Sequence, residues 1–140
     1  IGVFLAQKLA KKPLTIVGDG EQTRDFTFVT DVSNAIYLSL LSKSTRFEKF
    51  NVGSGNTVSV NRLANIIGGE VVYIPKRPGE PDCTFADITR IRKEIGWYPT
   101  VSIDEGLSEL LNDLSHWKGA PVWDPASISL ATKKWFRHLG

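Results

Sequence analysis

Several features that define whole classes of protein are missing from this sequence. It has one cysteine, Cys83, which excludes an internal disulfide and a cysteine metal cluster and is typical of a reducing cytoplasm. No apolar run approaches the roughly 18 residues of a membrane helix, and no segment has the pattern of a signal peptide. The formal net charge of +2 is too small to indicate a nucleic acid or a membrane surface as a partner.

Methionine is absent altogether, including at position 1. The chain therefore does not begin at an ordinary start codon, and residues 1–5 open in the middle of an apolar pattern. We expect it to be the C-terminal part of a longer protein. Its 140 residues are the size of one ordinary domain, and its content of 41% hydrophobic and 23% charged residues is typical of a soluble globular protein.

Glycine fingerprints for nucleotides are missing too. The sequence contains neither G-x-G-x-x-G nor G-K-[ST], the signatures of dinucleotide and triphosphate sites. Gly53-Ser54-Gly55 has the glycines that let backbone N–H groups approach an anion, but its spacing predicts a plain turn. His116 and His138 lack the spacing of metal ligands, and Cys83 has no His or Lys close by in sequence to activate it. We therefore predict no metal site.

Hydrophobic periodicity and turn residues predict alternating strands and helices. Runs of β-branched and aromatic residues predict strands at 14–17, 26–29, 50–52 and 71–74. Helical spacing, with capping residues, predicts helices at 4–12, at about 32–41, at 60–67, at 88–95, from 103 onward and from 125 onward. Polar residues at 42–49, and Pro and Gly within 76–85, predict loops. This order predicts an α/β fold whose sheet need not be complete within the chain.

Local chemistry refines the element boundaries. Gly18-Asp19-Gly20 predicts a tight turn that joins the first two strands as a hairpin, and Thr30 or Asp31 is a candidate cap for the helix near Val32. Four further helix caps are expected, followed by Gly68 and Gly96 as helix stops. Those caps are Ser59, Asp87, Ser102 with Glu105, and Asp124 before a proline.

Two arginines lie beside carboxylates in the predicted turns and loops. Arg24 offers a planar fork of donors that suits phosphate oxygens, and Asp25 next to it would orient the guanidinium. In Arg77-Pro78-Gly79-Glu80, Pro and Gly restrain the backbone so that Arg77 and Glu80 could face one ligand. From these residues alone, a phosphate site and a pair of surface ion pairs worth about 0–1 kcal/mol each both remain open.

Four segments, in this order, resemble those of one family. They read P-L-T-I-V-G-D-G-E-Q-T-R-D-F-T-F-V-T-D-V at 13–32, N-V-G-S-G at 51–55, R-P-G-E at 77–80, and A-D-I at 86–88 followed by G-W-Y-P at 96–99. Over about residues 1–117 the chain is similar to the substrate domain of extended short-chain dehydrogenase/reductases. These form the NAD-dependent nucleotide-sugar epimerase/dehydratase family. Phe28 departs from the pattern, because a Tyr is common there.

The resemblance implies a fold and a set of partners. The fold would be α/β, the C-terminal substrate-binding part of such an enzyme, with an incomplete Rossmann-type sheet. Residues 1–117 would form the nucleotide-sugar-binding domain, and residues 118–140 a C-terminal linker and helix. NAD would be bound by an N-terminal domain that is absent from this chain, and the strand at 50–52 would belong to the sheet of that domain. The longer protein of which this chain would be a part, called the parent below, would be a cytoplasmic homodimer acting on a nucleotide-diphosphate sugar.

The resemblance also implies substrate contacts. Arg24 and Arg77 would clamp the diphosphate, and Glu80, where family members often carry Asp, would hold the ribose. The strand at 14–17 resembles the wall around the nucleotide base, with Phe26 packed nearby. The expected substrate-binding residues are therefore Thr15, Val17, Arg24, Phe26, Arg77 and Glu80.

Catalytic residues of the family are missing from the sequence. Its chemistry needs a Tyr-x-x-x-Lys pair in which Tyr acts on a sugar hydroxyl. The three tyrosines, Tyr37, Tyr73 and Tyr98, are followed four residues later by Leu41, Arg77 and Ser102. We therefore predict no catalytic residue and no cofactor-binding residue here, and expect this piece to bind substrate without turning it over.

Three interpretations of the parent follow. The favoured one is a nucleotide-sugar epimerase of the UDP-glucose 4-epimerase type, in which NAD takes and returns a hydride. A 4,6-dehydratase or reductase of the same family is the first alternative. It is less favoured because dehydratases of the family tend to carry Asn-Val-Arg-Asp-Trp at the position of Gln22-Thr23-Arg24-Asp25-Phe26. The second alternative is a non-catalytic module that keeps only the sugar-nucleotide pocket.

Overall fold

The computed structural model describes residues 1–42 and 49–140. The helices in these residues are α1 (Gly2–Leu9), α2 (Val29–Leu41), α3 (Val60–Ile67), α4 (Thr89–Ile95), α5 (Ile103–Asn112) and α6 (Pro125–Leu139), with a 3-10 turn at Leu114–Trp117. The strands are β1 (Leu14–Val17), β2 (Thr23–Arg24), β3 (Val58–Ser59), β4 (Val71–Ile74) and β5 (Cys83–Thr84). The predicted α/β class is confirmed.

The strands form two small sheets. β1 pairs with β4 in parallel, with Leu14 opposite Val71 and Val17 opposite Ile74. In the second sheet, β2 lies between β3, to which it is antiparallel, and β5, to which it is parallel. The chain leaves β1, passes through β2, α2, β3 and α3, and returns to β4, a crossover of the kind that parallel strands require.

The larger core lies between the β1 side of the first sheet and three helices. Leu63 and Ile67 are one helical turn apart on α3, so both face this core. Burying each such side chain contributes about 1.5–3 kcal/mol relative to leaving it exposed. The buried members of the core are Phe4, Leu5, Leu14, Ile16, Leu63, Ala64, Ile67 and Leu107.

A smaller core joins α2 to α4 and the segment after it. Ala35, Ile91 and Trp97 are buried together there, and the indole N–H of Trp97 donates to the carbonyl oxygen of Asp31 at 3.0 Å. Asp31 is 2% exposed as a residue, and its carboxylate accepts from the backbone N–H groups of Thr100 and Val101 at 3.0–3.1 Å. Asp31 therefore ties the start of α2 to the chain that leads into α5.

Three of the predicted helix caps hold, because they depend on side chains within three residues of the backbone that they bond. Ser59 caps α3, and Ser102 with Glu105 forms a capping box at α5. Asp124 caps α6 with Ser127 as its reciprocal partner. Gly96 ends α4 in the left-handed conformation at φ 68°. Each of these predictions is confirmed. The predicted cap Asp87 is wrong, since α4 begins after Ile88, which provides no side-chain cap.

The predicted hairpin is wrong. β1 pairs with β4 rather than with the next strand along the chain, and that strand is β2 at Thr23–Arg24 rather than 26–29. α2 already begins at Val29, and its N-cap is Phe28, which provides no side-chain cap. Asp31 does not cap the helix, because its carboxylate accepts from the backbone N–H groups of residues 100–101 instead.

The segment at 50–52 pairs with no strand among the described residues, and its expected place in the sheet of the absent domain stays a prediction. No strand lies there, and Phe50 and Val52 instead pack their side chains against the core of Ala35, Ile91 and Trp97. The polar loop predicted at 42–49 includes residues 43–48, which lie outside the described residues. β5 falls inside the predicted loop at 76–85, since a two-residue bridge has no period that a sequence pattern can reveal.

α2 exposes an apolar face. Leu40 and Leu41 are 79% and 61% exposed, and Val29, Ile36 and Tyr37 are exposed as well. We expect this face to drive association of the chain as concentration rises, because contiguous exposed apolar surface favours protein contacts. Leu40→Glu should reduce the association seen by light scattering, whereas Leu130→Glu on exposed α6 should not. A sharp monomer peak for the unaltered chain at high concentration would contradict this prediction.

Candidate functional site

A cavity of about 420 Å³ lies beside β1, between α1, the segment after β4 and α6. Thr15 and Val17 of β1, Phe26, Arg77 and Glu80 line this cavity, and each was expected to contact substrate. Arg24, also expected to do so, hydrogen-bonds Glu80. The fold thus brings the predicted residues together, although they come from three separate stretches of the chain.

The two arginines converge on one carboxylate. Arg24 projects from β2, and its Nη2 lies 3.2 Å from Glu80 Oε1 while its Nη1 donates to the carbonyl oxygen of Thr23 at 2.8 Å. Arg77 Nη1 lies 3.9 Å from Glu80 Oε2. The side chains of Arg24, Glu80 and Arg77 are 20%, 22% and 28% exposed, so the cluster is largely shielded from water.

The cluster has unused hydrogen-bonding capacity. Within the described chain, Arg77 Nε and Glu80 Oε2 are buried atoms without a hydrogen-bond partner. The 3.9 Å separation between Arg77 Nη1 and Glu80 Oε2 is too long for a hydrogen bond. Buried polar atoms are nearly always bonded, and leaving one unpaired costs about 1–3 kcal/mol. With two guanidinium groups and one carboxylate, the cluster can accept an anion that also carries donor groups.

The expected pairing of Arg24 with Asp25 is wrong. Asp25 points the other way, and its two carboxylate oxygens accept from the backbone N–H groups of Ser54 at 2.6 Å and Ala86 at 3.2 Å. A sequence pattern does not show which distant backbone N–H groups a carboxylate will bond, so the prediction paired Asp25 with the adjacent Arg24. Asp25 instead connects the end of β2 to the segments at 54 and 86, and Arg24 pairs with Glu80.

This contact also explains the glycine turn at 53–55. A Cβ added to Gly53 would lie 2.5 Å from the Cβ of Ala86 and 2.6 Å from Asp25 Oδ2, so the space beside the glycine is filled by protein. The N–H of Ser54 already donates to a carboxylate of the chain itself. The segment forms a bend at 55–56, and the N–H of Ser54 is already satisfied within the chain.

The loop that carries Arg77 and Glu80 is closed at its ends. Lys76 Nζ lies 2.6 Å from Asp82 Oδ1, and this hydrogen bond lowers the pKa of Asp82 and raises the pKa of Lys76 from their usual values. The N–H of Glu80 donates to the carbonyl oxygen of Arg77 at 3.3 Å. Both side chains therefore project from one turn.

Two glutamines that were not among the predicted site residues contact the expected base wall. Gln7, which is fully buried, accepts from the N–H of Thr15 at 3.2 Å and donates to Thr15 Oγ1 at 2.9 Å. Gln22 donates to the carbonyl oxygen of Val17 at 2.9 Å and lines the cavity. Gln22 falls inside the resembling segment and was within reach of sequence reasoning. Gln7 could not be predicted in this way, because it lies outside that segment and no local pattern links it to Thr15.

The far wall of the cavity is α6, which sequence reasoning set apart as a C-terminal helix. Ile128, Ala131 and Thr132 line the cavity from this helix, and Trp123 does so from the segment before it. The indole N–H of Trp135 donates to the carbonyl oxygen of Pro78 at 2.8 Å, in the loop between Arg77 and Glu80. No local sequence pattern predicts a contact between two residues that are 57 positions apart in the chain.

Other candidate chemistry is sparse in the part of the chain that the structure describes. There, no three His, Cys, Asp or Glu side chains are grouped as they would be around a metal ion. His116 is exposed and lies 2.9 Å from Asp113, three residues earlier. Among the described helices, none has both the length and the apolar character needed to cross a membrane.

Known proteins match most of this chain. A family model described as GDP-mannose 4,6 dehydratase matches residues 2–110. The UDP-glucuronate 4-epimerase of Thermodesulfobacterium geofontis is 36% identical over 116 residues, which cover 78% of this chain and 35% of that protein. UDP-glucuronic acid decarboxylase 2 of Arabidopsis thaliana is 33% identical over 116 residues, which cover 79% of this chain and 26% of that protein.

A solved structure agrees with these matches. The UDP-glucuronic acid 4-epimerase of Bacillus cereus, in complex with UDP-glucuronic acid and NAD, is similar with a TM-score of 0.76 and 30% identity. The match covers 83% of this chain and 40% of that one, so the chain spans well under half the length of the proteins it matches. The chain belongs to the extended short-chain dehydrogenase/reductase family of nucleotide-sugar epimerases and dehydratases and corresponds to the C-terminal part of its members.

Proposed function

We propose that this chain binds the nucleoside diphosphate of a nucleotide sugar, with UDP as the nucleotide, as the substrate-binding part of a nucleotide-sugar epimerase. The observation that carries the proposal is the convergence of Arg24, Arg77 and Glu80 at a cavity, with Arg77 Nε and Glu80 Oε2 unbonded. The names of the matched relatives, a UDP-glucuronate epimerase and a UDP-glucuronic acid decarboxylase, support a uridine nucleotide.

Binding would exchange one set of ion pairs for another. The two guanidinium forks donate to oxygens of the diphosphate, which carries more negative charge than the single carboxylate that now pairs with them. Glu80 turns away from the arginines and accepts from hydroxyl groups of the ribose. Each interaction is charge-assisted and lies in a site that is largely shielded from water, where such bonds contribute about 1.5–3 kcal/mol.

The uracil base would lie against β1. Thr15 and Val17 form this part of the cavity wall and Phe26 lies on the same cavity, so the base meets both apolar and polar surface. Gln22 already bonds the carbonyl oxygen of Val17, which places a side-chain amide next to the expected base edge.

NAD is implied by the family, and the Bacillus cereus structure contains it. The space beside Gly53 is filled by Asp25 and Ala86, so this glycine-containing segment is not a candidate for holding its phosphates. We therefore derive no step through NAD here. The contribution of this chain is to bind and orient the nucleotide, while NAD would be bound elsewhere in the parent.

A second candidate is a dehydratase or decarboxylase parent. The family model carries the name of a dehydratase, and the Arabidopsis relative is a decarboxylase. Such a parent would hold the nucleotide diphosphate in the same way, so the two differ only in the product that the whole protein forms. Product analysis of the full-length parent with UDP-glucose and UDP-glucuronic acid distinguishes them, and an unrelated upstream domain would favour a non-catalytic module.

Calorimetric titration of this chain with UDP, UMP, GDP and NAD tests the proposal. We expect UDP to bind about tenfold or more tightly than UMP, because the second phosphate adds at least one charge-assisted hydrogen bond. GDP should bind more weakly than UDP, and NAD negligibly. Equal affinity for UDP and UMP, or micromolar binding of NAD, would contradict the proposal.

A further inference from the structure

Trp135 on α6 contacts the loop that carries the proposed diphosphate ligands. Its indole N–H donates to the carbonyl oxygen of Pro78 at 2.8 Å, and the guanidinium carbon of Arg77 lies 6.0 Å from the centre of its ring. One side chain therefore holds both the backbone next to Arg77 and the charged group of Arg77 itself.

α6 is anchored at its other end as well. Gln7 donates to the carbonyl oxygen of Trp123 at 2.7 Å and also bonds Thr15 on the opposite wall of the cavity. The capping box of Asp124 and Ser127 starts the helix directly afterwards. The helix is thus fixed to the β1 wall at its start and to the loop at 76–82 near its end, with its side chains along the cavity between them.

Arg77 has little else to orient it. Over the described residues its Nε donates no hydrogen bond, and its ion-pair contact is Glu80 at 3.9 Å. If Glu80 turns to a ribose hydroxyl when the nucleotide binds, the Trp135 ring is the contact that keeps the guanidinium in place. An aromatic face attracts a guanidinium without using its N–H donors, which stay free for phosphate oxygens.

We propose that Trp135 is a positioning residue for Arg77, so that α6 sets the affinity of the site for a diphosphate. This inference rests on the proposed binding of a nucleoside diphosphate. It adds a determinant outside residues 2–110, the part that the family model matches. Trp135 itself need not touch the nucleotide; it acts through the loop and the guanidinium.

The test measures UDP binding to the 140-residue chain and its variants by calorimetry. Trp135→Ala should weaken UDP binding about fivefold. Trp135→Phe keeps an aromatic face and loses the bond to Pro78, so its effect should be intermediate. Leu130→Ala is the matched control, because Leu130 lies on the same helix at 75% exposure and does not line the cavity.

A double-mutant cycle with Arg77→Ala separates positioning from a general structural role. If Trp135 acts through Arg77, adding Trp135→Ala to Arg77→Ala should cause no further loss of UDP affinity. An undiminished Trp135 effect in that background would overturn the inference. An unaltered chain that binds no UDP would instead contradict the proposed function, while UDP binding that depends on Arg77 but not on Trp135 would overturn the inference alone.

Discussion

Replacing Arg24 or Arg77 with alanine is expected to weaken UDP binding by about ten- to a hundredfold, both in this chain and in the full-length parent. Each guanidinium would supply charge-assisted hydrogen bonds worth about 1.5–3 kcal/mol, and about 1.4 kcal/mol corresponds to a tenfold change in affinity. Lysine at either position should restore part of the loss, because an ammonium group cannot fork across two oxygens. Calorimetry measures all four variants.

Glu80 and Arg62 provide the comparisons that this prediction needs. Glu80→Gln should have a smaller effect, since an amide oxygen still accepts from a ribose hydroxyl. Arg62→Ala is a matched control because Arg62 forms an exposed ion pair with Asp104 at 3.0 Å and does not line the cavity. NAD binding by the parent should change little in any variant. Dissociation constants for UDP within twofold of the unaltered protein for both Arg24→Ala and Arg77→Ala would leave the clamp without support.

Asp31→Ala is expected to lower the free energy of unfolding by about 3 kcal/mol. The carboxylate is buried and accepts from the backbone N–H groups of Thr100 and Val101 and from the Thr100 hydroxyl, at 2.8–3.1 Å. Truncation leaves those donors without this partner, at about 1–3 kcal/mol for each group that stays unsatisfied. Thr100 is itself exposed, so water replaces part of what its two donors lose. Urea denaturation measures the loss.

Two variants show whether the loss comes from hydrogen bonding. Asp31→Asn keeps one acceptor oxygen and should lose less than Asp31→Ala. Asp104→Ala removes a carboxylate that is 58% exposed and pairs only on the surface, so it should cost about 0–1 kcal/mol. Equal stability of Asp31→Ala and Asp104→Ala would mean that the contacts at residues 100–101 do not hold the fold together.

The elements predicted from the sequence share a short range of interaction. Ser59, Ser102 and Asp124 bond backbone groups only three residues away, so each helix start follows from its own few residues. β4 is a continuous run of β-branched and aromatic residues, and Gly96 ends its helix through its own φ. The co-location of Arg24, Arg77 and Glu80 was predicted from family resemblance, which carries information about contacts that local patterns lack.

What only the tertiary structure decided is which distant groups meet. β1 is followed by a tight turn, as predicted, yet its partner is β4, because parallel pairing depends on the whole crossover between them. Arg24 hydrogen-bonds Glu80, which is 56 residues away, rather than its neighbour Asp25. The Asp25 carboxylate already accepts from two backbone N–H groups. α6 was predicted as a helix from its cap, but its place against the loop at 76–82 depends on a bond over 57 residues. Local chemistry determined the helices and the strands β1 and β4, whereas long-range packing decided the two-residue strands and which elements form the site.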